Sequence, residues 1–197
     1  MIKGIIFDLD GTLVRLPIKY DKIFTKLQDL FNTQDEFKPL IQTIIKKANN
    51  DSKIIKKAFD IICEEEVIAA NNFEAVDGSI DTLNYFKNKN YSLCLVTMQC
   101  MKAAKIVLDK MQVSKLFSSV ITRDISSDRS IQIKKSVDCL YFFPDEVMVV
   151  GDRIHDVVSA KQVGCTPVLF NKNKVDSFND CKVISELLQL MNLNFFT

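Results

Sequence analysis

The chain has 197 residues, a formal net charge of +1, a hydrophobic fraction of 47% and a charged fraction of 26%. These values are typical of a globular protein with one sizeable core, and they exclude a strong overall field that would attract nucleic acid or an anionic membrane surface. A single histidine excludes a multi-histidine metal site, and no apolar stretch reaches the roughly 18 residues of a membrane span. We therefore expect a soluble, cytoplasmic protein whose six cysteines, which include no Cys-x-x-Cys pair, stay reduced.

The first predicted element is a buried β-strand in the apolar run 2–6. Asp8 and Asp10 follow it, next to a turn at Gly11. Two carboxylates so close together are unfavourable unless a cation or a shared proton offsets their repulsion. The pair therefore points to a functional site, and the structural alternative is a turn in which Asp10 caps the next segment.

Helical periodicity replaces the strand pattern over residues 15–77. Apolar residues recur there at helical spacing in three successive runs, near 23–31, 40–48 and 54–62. This spacing predicts an all-helical insert of about three helices directly after the first strand.

From residue 78 onward, predicted helices alternate with predicted strands. The helices are expected near 79–89, 100–111, 130–141, 155–163 and 183–191, and the strands at 93–96, 119–121, 147–150 and 166–170. Regular alternation of this kind predicts an α/β fold with a parallel sheet covered by helices on both faces. Ligands of such folds bind beyond the carboxyl ends of the strands.

Several polar residues follow the predicted strands and are expected to converge at that edge. They are Asp8 and Asp10 after the first strand, Thr97 and Met98 after the second, Asp152 and Asp156 after a later one, and Arg129, which opens a helix. An oxygen-rich cluster of this kind suits Mg²⁺, which prefers carboxylates, waters and a phosphate oxygen.

Two motifs make the chain similar to the haloacid dehalogenase-like (HAD) hydrolase superfamily, on its branch of Mg²⁺-dependent phosphatases. One is Asp-x-Asp-Gly-Thr-Leu at 8–13, and the other is Gly-Asp-x-x-x-Asp at 151–156. The resemblance covers essentially the whole chain. It implies a HAD-like, Rossmann-like core domain of residues 1–14 and 78–197, and a helical cap domain of the C1 type over residues 15–77.

The same resemblance implies catalytic roles for the first motif. Asp8 would be the nucleophile that forms a phosphoaspartate, and Asp10 would protonate the leaving group and then activate water. Mg²⁺ would be the cofactor, held by Asp8, Asp10, Asp152 and Asp156.

Phosphoryl oxygens would be bound by Thr97 and by the backbone N–H of Met98. Arg129 would neutralise the transferring phosphoryl group and keep Asp8 ionised. The family commonly has lysine at this position, but Arg129 lies 23 residues before Asp152, a spacing that matches the shorter form of the motif. Lys134, Lys135 and Arg123 are alternative candidates for this role.

The expected activity is hydrolysis of a small phosphomonoester, such as a sugar phosphate or phosphoglycolate. The alternatives are a phosphomutase of the same superfamily and a non-catalytic HAD-like module that binds or regulates. The expected partner is thus a small phosphorylated metabolite, not nucleic acid or a membrane, and nothing in the sequence requires an oligomer. His155 is expected to be a surface or helix-start residue. Arg153 is expected to be solvated, and contact with the substrate is its alternative role.

Overall fold

The structure, a computed structural model, describes residues 1–171, 177–178 and 181–194. Within them lie nine strands: β1 Gly4–Phe7, β2 Val14–Arg15, β3 Glu74–Ala75, β4 Ser92–Val96, β5 Phe117–Ile121, β6 Val147–Gly151, β7 Thr166–Phe170, β8 Ser177–Phe178 and β9 Cys181–Ile184. The α-helices of the same part of the chain are α1 Tyr20–Phe31, α2 Leu40–Lys47, α3 Ser52–Ala70, α4 Ser79–Asn88, α5 Met101–Lys110, α6 Arg129–Leu140 and α7 Ile154–Val163. Short 3₁₀ helices occupy Ser114–Leu116, Pro144–Glu146 and Leu187–Asn192.

A single large sheet organises the molecule, with the strand order β5-β4-β1-β6-β7-β9-β8. The strands from β5 to β9 in this order run parallel, and β8 pairs antiparallel with β9. The predicted α/β fold with a parallel sheet is confirmed. Because Phe7 at the end of β1 lies opposite Leu95 of β4 and Val150 of β6, the loops that follow these three strands leave the sheet at one edge.

Strand β1 is buried on both of its faces. Alternate residues of a strand point to opposite sides of the sheet, so each face packs against a different layer of helices. Ile5 and Phe7 pack in the core cluster that includes residues of α4 and α5, whereas Ile6 packs in the cluster that includes residues of α6 and α7. All three side chains are fully buried, and burial of each contributes about 1.5–3 kcal/mol to stability. The strand that precedes the two aspartates is therefore firmly anchored.

The insert between β2 and β3 has an apolar core of its own. Its helices α1, α2 and α3 bury one cluster of side chains: Ile23, Leu27, Phe37, Ile41, Ile44, Ala58 and Ile62. The insert is not wholly helical, contrary to the prediction, because Val14 and Arg15 pair antiparallel with Ala75 and Glu74 where it joins the core. None of the described helices is both long and apolar enough to cross a membrane.

The helix predicted at 183–191 is wrong. Residues 181–184 instead form strand β9, which extends the parallel sheet beyond β7, and a 3₁₀ helix follows at Leu187–Asn192. Cys181 and Ile184 are buried, and Lys182 between them is exposed. The aromatic tail at 195–196 lies outside the described residues.

The expectation that all the cysteines stay reduced is also wrong. Cys63 of α3 and Cys100 at the start of α5 form a disulfide, with their Cα atoms 5.6 Å apart. Cys94, Cys139, Cys165 and Cys181 are free thiols. The fold brings together two cysteines from the insert and the core, and no local spacing motif predicts such a pair.

Candidate active site

A cavity of about 510 Å³ lies where the carboxyl edge of the sheet meets the insert. The core contributes Asp8, Asp10, Arg129 and Asp156 to its wall. The insert contributes mainly aliphatic side chains: Ile18, Pro39, Leu40, Ile41 and Ile62. This volume is suited to a small molecule enclosed between the two parts of the chain.

Asp8 and Asp10 are fixed by backbone hydrogen bonds in the turn that follows β1. The amide of Asp8 donates to the carbonyl of Val150 at 2.9 Å, which continues the pairing with β6, and the Asp8 side chain is buried. The Oδ1 atom of Asp10 accepts a hydrogen bond of 2.9 Å from the amide of Leu16. The turn between them and the insert therefore holds both carboxylates on the core side of the cavity.

Asp152 lies against the same turn, so the first and last motifs meet as predicted. Gly11 has φ +93°, and a Cβ added there would collide with the Asp152 carboxylate. Glycine is required at this position for both its backbone conformation and the close approach. One oxygen of Asp152, Oδ1, is buried and has no hydrogen-bond partner in the described part of the chain.

Arg129, the first residue of α6, joins two of the aspartates. Its Nη2 donates to Asp8 Oδ1 at 2.7 Å, and its Nε lies 3.0 Å from Asp156 Oδ1. Arg129 is buried, whereas Lys134 and Lys135 are exposed. Of the cations considered for this role, Arg129 is therefore the one that contacts the predicted nucleophile.

Gln132, one turn along α6, organises this region and was missed by the sequence analysis. Its side-chain oxygen lies 3.2 Å from Arg129 Nη1 and accepts its hydrogen bond, while its Nε2 donates to the carbonyls of Thr97 and Ser126 at 3.0 and 2.7 Å. The amide thus ties the arginine to the loop after β4. Its spacing of three residues from Arg129, on the same helix face, is the only sequence signal that could have suggested it.

Burial makes the site electrostatically unusual. Loss of solvation raises the pKa of Asp8 to about 8, with the Asp156 and Asp152 charges adding to it and Arg129 opposing it. Burial likewise raises the pKa of Asp152 to about 6, although Arg153 opposes the shift. The pKa of Asp10 is raised by burial too, against the Leu16 amide and Arg153. The neighbouring cations therefore only partly offset the negative charge of the ionised carboxylates.

A divalent cation fits the chemistry of this donor set. Asp8, Asp10, Asp152 and Asp156 offer only oxygen ligands, and the unsatisfied Asp152 oxygen needs a partner. Asp156 already accepts from the backbone N–H of Arg153 at 3.1 Å, which also caps α7. Among the described residues, no three of these aspartates lie close enough together to share one ion, and Asp8 and Asp156 are directed to Arg129 instead. Cys63, Glu66 and Cys100 do lie that close, but the two cysteine sulfur atoms are bonded to each other.

Thr97 and Met98 occupy different positions relative to the cavity. Met98 lines it, but Thr97 is fully buried behind the wall. The Thr97 hydroxyl contacts the side-chain oxygen of Gln99, a residue that does line the cavity. The binding role predicted for Thr97 stays a prediction.

A buried ion pair that no sequence pattern predicted forms part of the cavity wall. Arg123 Nη1 and Nη2 donate to Glu66 Oε1 and Oε2 at 2.6 and 2.9 Å, and the Phe59 ring lies 5.2 Å from the guanidinium carbon. The amide of Cys100 also donates to Glu66, at 2.9 Å. Because Glu66 and Phe59 lie on α3 and Arg123 follows β5, these contacts fasten the insert to the core.

Comparison with known proteins identifies the family of the chain. A family model described as haloacid dehalogenase-like hydrolase matches residues 5–170. The pyrophosphatase PpaX of Oceanobacillus iheyensis is 24% identical, over 98% of this chain and 96% of its own length. A HAD phosphatase from Thermococcus onnurineus is 26% identical and has a TM-score of 0.69, with 97% of each chain covered.

A predicted phosphoglycolate phosphatase from Haemophilus somnus shares the fold, with a TM-score of 0.70 at 21% identity and 97% of each chain covered. The family match covers most of the chain, and it agrees with the parallel sheet and with the aspartates at its carboxyl edge. The phosphatase relatives support a phosphatase activity within this family. The chain belongs to the haloacid dehalogenase-like hydrolases.

Proposed function

We propose that this hydrolase is a Mg²⁺-dependent phosphatase that acts on a small phosphorylated metabolite through a phosphoaspartate at Asp8. The observation that carries the proposal is the buried pair of Asp8 and Arg129, which lies at the wall of a small cavity beside an unsatisfied Asp152 oxygen. A carboxylate held against a cation in a site of this size is suited to attack phosphorus.

Asp8 would attack the phosphorus atom through a carboxylate oxygen. A bond forms between that oxygen and phosphorus while the bond from phosphorus to the leaving oxygen breaks. Arg129 opposes the rise in the pKa of Asp8 and so favours the ionised carboxylate that attacks. Its guanidinium would also offset charge on the transferring phosphoryl group.

Asp10 would serve as the acid and then as the base. It gives its proton to the leaving oxygen, and later takes a proton from the water that attacks the phosphoaspartate and releases phosphate. Its raised pKa, caused mainly by burial, favours the protonated form that the first step needs.

Asp8, the backbone carbonyl of Asp10, Asp152 and Asp156 would hold Mg²⁺. The bound ion would supply positive charge that offsets the repulsion between these carboxylates and a substrate phosphoryl group. Thr97 and the Met98 backbone N–H would bind phosphoryl oxygens, which for Thr97 requires its hydroxyl to leave Gln99.

The insert would act as a cap domain of the C1 type on a core of residues 1–14 and 78–197. It covers the cavity with aliphatic side chains, and exclusion of water protects the phosphoaspartate from premature reaction. Its residues would therefore contribute to substrate choice. A cytoplasmic location is part of the same proposal, since phosphorylated metabolites are the expected substrates.

Phosphate release from a panel of phosphorylated metabolites, with Mg²⁺ and with EDTA, tests the proposed function. We expect Mg²⁺-dependent release by the native protein and a loss of at least about 10³-fold in Asp8→Asn, because the nucleophile is removed. Conversion of a sugar phosphate to its positional isomer without phosphate release would instead identify a phosphomutase. Absence of turnover on the whole panel would identify a binding or regulatory module.

A further inference from the structure

We infer that Arg153 binds a second anionic group of the substrate, and that the substrate is a small phosphate ester or anhydride with a carboxylate or a second phosphoryl group near the reacting phosphorus. The inference rests on the proposed function, because it assigns the phosphoryl end of the substrate to Asp8. It adds a specificity residue, and it narrows the substrate class.

Three guanidinium groups line the cavity in the described part of the chain: Arg123, Arg129 and Arg153. Arg123 is buried and paired with Glu66, and Arg129 is buried between Asp8 and Asp156. Arg153 differs from both, because it is exposed and forms no ion pair with a carboxylate among the described residues. Its guanidinium donors are thus the ones that a substrate can reach without breaking a buried pair.

The position of Arg153 directs it toward the reacting end of a bound substrate. It lies immediately after Asp152 at the start of α7, and it interacts electrostatically with Asp152, Asp8 and Asp10. Tyr20, the first residue of α1, lines the same cavity, and its hydroxyl group interacts with Arg153. The arginine therefore lies at the boundary between insert and core.

The insert's side of the wall offers a second anion few other partners. The insert's share of the wall is mostly aliphatic, and its polar members in the described structure are Tyr20, Gln42 and Glu66. None of these is a cation, and Glu66 would repel an anion. A guanidinium presents a planar fork of donors that matches a carboxylate or a phosphoryl group, so Arg153 is chemically suited to this task.

Two other roles for Arg153 predict different kinetics. If it only screens the aspartates or contacts the transferring phosphoryl group, its removal weakens turnover of every phosphoester. If it binds a second anion, its removal weakens only substrates that carry one. The comparison of substrates with one and two anionic groups therefore separates the roles.

The experiment compares 4-nitrophenyl phosphate with 2-phosphoglycolate and inorganic pyrophosphate in the native protein and in Arg153→Met. We expect KM for the two-anion substrates to rise about tenfold or more, the loss typical of a charge-assisted hydrogen bond, while KM for 4-nitrophenyl phosphate stays within about twofold. In Tyr20→Phe, KM for the two-anion substrates should rise by a smaller factor, because the arginine stays in place but loses its contact with the tyrosine hydroxyl. Arg15→Met, which removes an exposed arginine outside the cavity wall, is the matched control.

Equal losses on all three substrates would overturn the inference, and so would unchanged kinetics on all three. The Mg²⁺ concentration for half-maximal rate is measured in Arg153→Met as well, since a large change there would show that the variant acts through Asp152 instead. If the native protein hydrolyses none of these compounds, the proposed function fails separately. Calorimetric binding of 2-phosphoglycolate and pyrophosphate to Asp8→Asn, with and without Arg153→Met, then tests the arginine alone, and equal affinity in the two proteins would contradict its role.

Discussion

At the residue scale, the surroundings of Asp8 combine a strong penalty for charge with one cation that offsets it. Burial removes water from the carboxylate, and Asp152 and Asp156 repel it, while Arg129 at 2.7 Å attracts it. A structural aspartate in a turn needs none of this. Groups whose pKa values are shifted by burial and by a specific charged partner cluster at functional sites, and Asp8 is such a group.

The raised pKa of Asp8 gives a pH dependence of stability in the metal-free protein. An acid whose pKa rises from 3.8 to about 8 on folding binds more protons in the folded than in the unfolded state between these values. The free energy of unfolding should therefore fall as pH rises through this window, with Asp152 contributing in the same direction up to about 6. Thermal unfolding in EDTA across the window measures it.

Asp8→Asn is the control for this pH dependence, since asparagine does not titrate. Its unfolding curve should be flatter across the same window, and added Mg²⁺ should raise the Tm of the native protein more at the alkaline end. A native protein whose metal-free stability rises steadily toward pH 8 would contradict the assignment.

Arg129→Met tests the cation of the site. We expect kcat/KM to fall about 10²- to 10³-fold, because charge on the transferring group is no longer offset. The free energy of unfolding at neutral pH should also fall, by up to about 3–5 kcal/mol, because Asp8 and Asp156 lose their partner. Lys134→Met, which changes an exposed lysine on the same helix, is the matched control and should match the native protein in both assays. A large loss of activity in Lys134→Met, with none in Arg129→Met, would instead assign the charge-neutralising role to Lys134.

At the element scale, α3 is the part of the insert that holds it to the core. Glu66 reaches Arg123 and the Cys100 amide, and Cys63, nearly one turn earlier on the helix, is bonded to Cys100. The two contacts with Cys100 lie just before α5, so α3 is tied to the loop that carries Met98 and Gln99. A change in the position of the insert is thus expected to move this wall of the cavity.

Removal of the disulfide should lower stability. Closing a loop between cysteines 37 residues apart restricts the unfolded chain, which corresponds to about 4 kcal/mol in the chain-entropy treatment. Urea unfolding of Cys63→Ser, and of the native protein with a phosphine reductant, should both show a loss of this order or smaller. Cys139→Ser, at an exposed free thiol, should not.

A thiol count provides an independent check of the same bond. Denatured, unreduced protein should react at four cysteines, which are Cys94, Cys139, Cys165 and Cys181. Reaction at all six cysteines of the chain would show that the bond is absent from the isolated protein.

At the scale of the whole molecule, the core and the chemistry of its edge could be predicted because their signals are local. The strands β1 and β6 are continuous apolar runs, and Asp8, Asp10 and Asp152 follow within three residues of a strand end. Parallel topology then brings the strand ends together without further information.

The features that escaped prediction depend on contacts between distant segments. Glu66 lies in a run of three glutamates, and nothing local distinguishes it as the one that meets Arg123, 57 residues later in the chain. Likewise, nothing local in the sequence distinguishes Cys63 and Cys100 as the two cysteines that form a bond. Strand β9 was missed because a four-residue edge strand has too few residues to establish a period of two.

The paired strands β2 and β3 have a further consequence for how this architecture can vary. Because Val14 lies opposite Ala75, the chain leaves the core and returns to it at neighbouring points, and the amide of Val76 donates to the carbonyl of Leu13 just inside that junction. Residues 16 to 73 therefore form a module that leaves and rejoins the sheet at one place, and a different lid could occupy this position without altering the order of the central sheet if it replaced the contacts that α3 makes with the core. Exchange of that module offers a route by which one reaction centre acquires new substrates.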